Sequence, residues 1–131
     1  MKLLIDSDFL FALFKPDDSN NDRAKKLLKK YLDEDLSISN LVLQESTTLV
    51  SKRMGMKYAI KFYASVTQIV KKIIYLDLHS EKDAWELFLS QTKKGSSFID
   101  CSNMTIYKKF KFDNILAFDE YYPKNVRITS E

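Results

Sequence analysis

Short apolar runs alternate with longer amphipathic segments along almost the whole chain. Each run is bounded by charged or turn-forming residues, which is typical of buried strands. The longer segments, such as 22–32 and 57–70, place apolar residues at helical spacing. The predicted strands are residues 2–5, 36–39, 73–76, 115–118 and 126–128. This alternation predicts an α/β fold in which helices cover both faces of a parallel sheet.

Polar residues mark the expected ends of several helices. Ser19, Asn40 and Ser80 each stand close before an amphipathic segment. We expect them to be N-caps, because their side-chain oxygens can accept hydrogen bonds from free backbone N–H groups. Gly55 is expected to end the helix that starts near Asn40.

The composition is typical of one ordinary globular domain. The chain has 131 residues, of which 45% are hydrophobic, and it shows no linker or repeat, so residues 1–131 are expected to form a single domain. The single cysteine, Cys101, excludes an internal disulfide, argues against cysteine-ligated zinc and fits a cytoplasmic location. Asp6 and Asp8 interrupt the apolar N-terminus, so no signal peptide is expected, and no apolar run could span a membrane.

Two aspartates directly follow predicted strands. Asp6 comes after the first strand and Asp119 after the fourth. In a parallel α/β sheet, functional groups gather at the carboxyl ends of the strands. Each aspartate alone would also fit a turn or a helix cap, and a cap is the expected role of Asp8. Asp6 and Asp119 are therefore candidates only in combination with other acids.

Two further acids lie on apolar faces of predicted helices. Leu41 and Leu49 lie one turn either side of Glu45, and Asp100 shares a face with Met104. Burying an unpaired carboxylate costs on the order of several kcal/mol. An ion pair with a lysine or arginine would satisfy Glu45, and an N-cap role would satisfy Asp100. Each acid taken alone thus leaves a structural explanation open.

Taken together, the four acids predict a metal site. Carboxylates that converge repel each other unless a cation lies between them. Carboxylate oxygens suit hard ions such as Mg²⁺ or Mn²⁺, which assist phosphodiester hydrolysis singly or in pairs. A histidine-based mechanism is disfavoured, because His79 is the only histidine. The candidate catalytic and metal-binding residues are Asp6, Glu45, Asp100 and Asp119.

The segments that carry these acids resemble the PIN-domain family, many of whose members are VapC-type toxins of toxin–antitoxin pairs. The matching segments are residues 3–10, 43–45, 97–101 and 115–119. They hold the four acids in the family's order and at similar spacing, and the resemblance covers nearly the whole chain. It implies a single-domain PIN-like α/β fold with a five-stranded parallel sheet in the order 3-2-1-4-5, flanked by helices.

The resemblance also implies an activity and partners. The four acids would form a pocket that holds Mg²⁺ or Mn²⁺ for hydrolysing RNA as an endoribonuclease, and Ser7, Asp8 and Ser97 would help to order water at the metal. Family members are commonly homodimers, and toxin members are held inactive by a small antitoxin protein that covers the groove. The chain departs from many relatives in lacking a histidine near Asn20 and in its basic segment 107–114.

Other contacts and functions stay open from the sequence. The net charge of +3 is weak evidence for nucleic-acid binding. Candidates for contacts with RNA phosphates are Lys52, Arg53, Lys93, Lys94, Lys108 and Lys109, although lysine clusters also fit solvated helix faces. A PIN-like fold could instead serve as a catalytically inactive RNA-binding or protein-docking module. Asp6 could also be the nucleophile of a HAD-like phosphatase, although Leu10 and Asp119-Glu120 fit that pattern poorly.

Overall fold

The computed structural model describes residues 1–92 and 94–130, in which two helices follow each of the first three strands and the last two strands follow the sixth helix. The strands are β1 (Lys2–Ile5), β2 (Asp35–Ser39), β3 (Lys72–Ile74), β4 (Asn114–Leu116) and β5 (Arg127–Ile128). The helices are α1 (Ser7–Phe14), α2 (Asn21–Tyr31), α3 (Asn40–Met54), α4 (Met56–Ile69), α5 (Leu78–Leu89) and α6 (Phe98–Lys109). None of these helices combines the length and apolarity that crossing a bilayer requires.

The strands form one parallel sheet in the order β3-β2-β1-β4-β5. The last residue of β1, Ile5, lies opposite Ile38 of β2 and Leu116 of β4. This confirms the predicted fold class and strand order. Because β1 is the central strand, the residue that follows it, Asp6, emerges at the middle of the carboxyl edge of the sheet.

Alternate residues of β1 enter different apolar cores. Leu3 and Ile5 pack with residues of α1 to α4, whereas Leu4 packs with Met104 and Ile106 of α6. Successive side chains of a strand point to opposite faces, so the two cores lie on opposite sides of the sheet. The prediction of helices on both faces is confirmed.

Two strands end earlier than their apolar sequences predict. β4 ends at Leu116 instead of residue 118, and the N–H of Phe118 donates to the Asp8 carboxylate at 3.0 Å. β3 ends at Ile74 instead of residue 76, and the N–H of Leu76 donates to the Asn40 side chain at 3.2 Å. In both cases a side-chain acceptor from another segment bonds a backbone N–H beyond the end of the ladder.

The predicted helix caps were wrong in position. Ser39, not Asn40, is the N-cap of α3, and its hydroxyl accepts from the N–H of Leu41 at 3.1 Å. Asp77, not Ser80, is the N-cap of α5, and its carboxylate accepts from the N–H of Ser80 at 2.7 Å. Similarly, α2 has Asn20 rather than Ser19 at its N-cap. The predicted end of α3 at Gly55 is confirmed.

Candidate active site

Asp6 lies at the centre of the candidate site. It follows β1, occupies the N-cap position of α1 and is only 2% exposed. Its Oδ1 atom accepts hydrogen bonds from Nδ2 of Asn103 at 2.9 Å and from the hydroxyl of Tyr122 at 3.2 Å. Burial raises the pKa of the Asp6 carboxyl well above its usual range, and the charges of Asp8 and then Asp100 raise it further.

Asp100 approaches Asp6 from the first turn of α6. Ser97 is the N-cap of this helix, and its hydroxyl accepts from the N–H of Asp100 at 3.1 Å. The Tyr122 hydroxyl lies 3.2 Å from Oδ1 of Asp100, the same distance as from Asp6. Burial and then the charge of Asp119 raise the pKa of Asp100, while hydrogen bonds from Tyr122 and Ser97 lower it. Ser97 therefore starts the helix that points Asp100 at the site.

Glu45 and Asp119 flank this pair. Glu45 lies on α3 and is partly buried, and its pKa is raised first by that burial and then by the charge of Asp100. Asp119 lies in the turn that follows β4, where its carboxylate accepts from the N–H of Tyr121 at 2.9 Å. Asp119 is exposed, and its charge raises the pKa values of both Asp100 and Asp8.

Asp8 belongs to the same cluster, and its predicted role as a helix cap was wrong. It is the second residue of α1, whose N-cap is Asp6. Its Oδ2 atom accepts from the N–H of Phe118, and its buried Oδ1 atom has no hydrogen-bond partner within residues 1–92 and 94–130. Burial raises the pKa of Asp8, whereas the N–H groups of Phe118 and Asp119 lower it. Ser7, the third residue named from the resemblance, begins α1 and is partly buried.

The predicted acids influence one another's charge, and no basic partner for them is found among the described residues. The charges of Asp8 and Asp100 raise the pKa of Asp6. The charge of Asp100 in turn raises the pKa of Glu45, and the charge of Asp119 raises the pKa of Asp100. Within residues 1–92 and 94–130, none of these acids forms a salt bridge. These charge effects group the acids at the carboxyl edge of the sheet, and among the described residues none of them has a basic partner.

The donor chemistry of the cluster fits a hard divalent cation. All of its side-chain ligands would be carboxylate oxygens, and one buried oxygen of Asp8 has an unused acceptor site. In the part of the chain that the structure describes, no three acidic, histidine or cysteine side chains already stand in metal-binding geometry. Ion binding would therefore require side-chain rotation, for which the more accessible acids Glu45 and Asp119 are the best placed.

A cavity of about 800 Å³ opens beside Asp8 and Asp119. Its walls are mainly aromatic and aliphatic and include Phe14 of α1 and Phe62 of α4. Arg53, near the end of α3, also lines it. The acidic cluster thus borders a cavity whose walls are largely apolar but also include charged side chains, among them Lys15, Asp17 and Asp18.

Comparison with known proteins identifies the family. The sequence model of the family described as PIN domain matches residues 3–126. The chain belongs to the PIN domain family. This match favours the PIN prediction over the HAD-like phosphatase alternative.

Individual PIN-domain relatives agree with this assignment. The chain is 27% identical over 117 residues to the "23S rRNA-specific endonuclease VapC20" of Mycobacterium tuberculosis, covering 89% of this chain and 88% of that protein. The crystal structure of VapC20, described as a Sarcin-Ricin loop cleaving toxin, superposes with a TM-score of 0.79 at 26% identity and covers 90% of each chain. DNA-bound VapBC from Salmonella typhimurium shares the fold, with a TM-score of 0.56 at 9% identity over 97% of this chain and 96% of that one.

The basic candidates of this PIN domain occupy different places. Arg53 lines the cavity beside the acids, whereas Lys52, Lys94 and Lys108 are exposed. Lys109 is held by Asp77 at 3.2 Å and by the Ser80 hydroxyl at 2.7 Å, at the start of α5. Lys93 lies outside the described residues. Among the candidates that the structure describes, Arg53 is therefore the one that lines the cavity beside Asp8 and Asp119.

Two residues of the PIN-domain site were not predicted from the sequence. Tyr122 and Asn103 are fully buried and contact the acids directly. Each lies three residues after a candidate acid, Asp119 for Tyr122 and Asp100 for Asn103. On α6 that spacing places Asn103 on the face of Asp100, which is the signal that could have identified it.

Proposed function

We propose that this PIN domain is a Mg²⁺- or Mn²⁺-dependent endoribonuclease that hydrolyses RNA phosphodiester bonds. The observation that carries the proposal is the group of facing carboxylates at the carboxyl edge of the sheet, which has no basic partner among the described residues. The similarity to VapC20, whose name describes a 23S rRNA-specific endonuclease, supports RNA as the substrate class.

The roles of the acids follow from their positions. Asp6 and Asp100, which share the Tyr122 hydroxyl, would be the central ligands of the ion, and Glu45 and Asp119 would complete the site from its more open side. When bound, the divalent ion lowers the pKa of a water molecule and neutralises charge on the phosphate. Asp8 would hold water through its unpaired oxygen, together with Ser7 and Ser97.

The proposal is tested by replacing Glu45 with glutamine. E45Q keeps the size of a partly exposed side chain and removes one ligand charge, so the protein should fold while cleavage in Mn²⁺ falls by about 100-fold or more, since even residues that only support ligands change activity by about 10- to 100-fold. E86Q, which neutralises an exposed acid on α5, is the matched control. EDTA should abolish wild-type cleavage. Undiminished cleavage by folded E45Q, or cleavage in EDTA, would reject this site.

A non-catalytic role predicts a different result. If the PIN domain served as an RNA-binding or docking module, wild-type protein would bind RNA in Mn²⁺ without shortening it. Gel analysis of an end-labelled RNA distinguishes the two functions, because binding retards the intact strand and hydrolysis generates fragments.

The proposed biological role is that of the toxin in a type II toxin–antitoxin pair, acting in the cytoplasm as a homodimer. The similarity to VapC20, described as a Sarcin-Ricin loop cleaving toxin, supports the toxin role. The antitoxin would be a small protein that covers the groove beside Asp8 and Asp119, with apolar side chains against the cavity walls. Expression in a bacterial host should arrest growth, E45Q should not, and a short reading frame adjacent to the gene should restore growth when co-expressed. Sedimentation measures the oligomeric state.

A further inference from the structure

Tyr122 and Asn103 form a buried pair against the acidic cluster. Asn103 lies on α6, and Tyr122 lies in the segment between β4 and β5. Both side chains are fully buried, and Nδ2 of Asn103 donates to the Tyr122 hydroxyl at 3.1 Å. Arg127 anchors this segment by donating to the carbonyl oxygen of Tyr122 at 3.1 Å. The pair is thus fixed both through α6 and through the sheet.

The donor inventory of the pair is fully assigned. The Asn103 amide has two hydrogens, of which one bonds Oδ1 of Asp6 and the other bonds the Tyr122 oxygen. The Tyr122 hydroxyl has one hydrogen and lies 3.2 Å from Oδ1 of both Asp6 and Asp100. Its single hydrogen can serve only one of these acids at a time, so the hydroxyl couples the two carboxylates.

These contacts constrain the two carboxyl groups unequally. Oδ1 of Asp6 accepts a hydrogen bond from Asn103 and, in alternation with Asp100, from Tyr122, whereas Oδ1 of Asp100 accepts from this pair only when Tyr122 donates to it. Hydrogen bonds to one oxygen orient the plane of a carboxylate and leave its second oxygen available for another ligand. Tyr122 and Asn103 therefore determine which oxygen of Asp6 is available.

Folding alone does not favour this arrangement. Oδ1 of Asn103 is buried and has no hydrogen-bond partner in the part of the chain that the structure describes, which carries a desolvation cost that an apolar side chain would avoid. The neighbouring core residues Met104 and Ile106 show that apolar side chains fill the surrounding space on α6. The amide at position 103 is better explained by its two donors than by packing.

We propose that Tyr122 and Asn103 are positioning residues that hold Asp6 and Asp100 at the separation and orientation in which both bind the divalent ion. The inference rests on the proposed metal-dependent function. It extends the set of functional residues beyond the acids to two side chains that carry no charge and that need not contact the ion themselves.

The test compares two adjacent tyrosines. Tyr122→Phe removes the shared hydroxyl and keeps the ring, whereas Tyr121→Phe removes a hydroxyl whose partner is Cys101 Sγ at 3.4 Å, outside the network. Each protein is titrated with Mn²⁺ alone by calorimetry, after its folding in EDTA has been checked by circular dichroism. We expect Y122F to bind Mn²⁺ about tenfold more weakly than wild type, which is about 1.4 kcal/mol, and Y121F to bind as wild type does.

Asn103→Ala supplies a second, independent variant. It should also weaken Mn²⁺ binding, and the double variant N103A/Y122F should lose less affinity than the two separate losses combined, because both side chains act on the same oxygen of Asp6. A purely structural role would lower thermal stability in EDTA without this shared loss of ion affinity.

The results distinguish a wrong positioning role for Tyr122 and Asn103 from a wrong metal-dependent function. If wild type binds Mn²⁺ and a folded Y122F or N103A binds it equally well, the positioning role is wrong and the proposed function stands. If wild type binds no Mn²⁺, the metal-dependent function itself is wrong and the inference falls with it.

Discussion

The ionisation of the Asp6 carboxyl group is subject to opposing effects. Asn103 and Tyr122 donate hydrogen bonds to it, whereas burial and the charges of Asp8 and Asp100 oppose its ionisation. The net effect raises its pKa well above the usual range. In the metal-free protein, an ionised Asp6 is therefore a source of instability that a bound cation would relieve.

The raised pKa of Asp6 predicts a specific pH dependence of stability in EDTA. A carboxyl whose pKa is higher in the folded than in the unfolded state stabilises the fold at acid pH, and this contribution is lost as the pH rises through the folded pKa. Asp6→Asn cannot ionise, so its free energy of unfolding at neutral pH should exceed that of wild type.

Urea unfolding in EDTA, repeated from acid to neutral pH, measures this difference. The advantage of D6N should shrink as the solution becomes acidic, where the wild-type carboxyl is protonated. Glu86→Gln controls for the loss of one negative charge at an exposed position. A D6N protein that is less stable than wild type at neutral pH would contradict the prediction.

At the scale of helices and strands, the sequence predicted the type and order of the elements better than the residues at which they begin and end. The apolar runs identified all five strands, because a buried parallel strand needs a continuous apolar segment. The helix starts were displaced, because neighbouring polar residues such as Ser39 and Asn40 are both competent caps and only the fold assigns Asn40 to Leu76. The residues at which elements begin and end thus depended on hydrogen-bond acceptors from distant segments, which the local sequence pattern does not show.

The same limit applies to the site. Four acids could be selected from the sequence because charges after buried strands or on apolar helix faces need a special explanation. Tyr121 and Tyr122 are adjacent and chemically identical, and only the turn after β4 decides that Tyr122 reaches Asp6. The contribution of Asn103 depends equally on which face of α6 meets that turn. Residues that complete a site from several elements require the assembled fold.

The junction between α3 and α4 gives a prediction at this scale. Gly55 has φ +96° and ψ 168°, a region that is essentially restricted to glycine. An added Cβ would meet nothing within 4 Å, so any cost of substitution comes from the backbone alone. Gly55→Ala should lower the free energy of unfolding by about 1–3 kcal/mol in urea titrations.

Gly55→Asn is the informative companion variant. Asparagine relieves strain in the left-handed helical region, but ψ 168° lies outside that region. G55N should therefore be about as unstable as G55A, while Ser51→Ala on the preceding turn of α3 controls for helix composition. Recovery of wild-type stability in G55N would show that the junction relaxes to another conformation.

For the molecule as a whole, the distribution of charge matters more than the net charge of +3. The acids of the site face one another without basic partners in the described chain, while Lys109 is already committed to Asp77 at the start of α5. Hydrogen bonds from Ser80 and then from Lys109 lower the pKa of Asp77 to about 2. Lys109 is therefore less available to a phosphate than Arg53, which borders the cavity.

Arg53 and Lys109 should consequently differ in their effects on RNA binding. Arg53 lines the cavity beside Asp8 and Asp119, where a phosphate backbone that reaches the acids would pass. In an E45Q background, in which cleavage should be much slower, Arg53→Ala should weaken RNA binding and reduce the slope of log affinity against log salt by about 0.7, the value for one phosphate contact on a single strand. Lys109→Ala should leave the slope unchanged and act mainly on thermal stability, because its partners are protein groups. Fluorescence anisotropy over a salt series measures both slopes, and a loss of slope in K109A but not in R53A would place the RNA path along the α5–α6 side of the molecule instead.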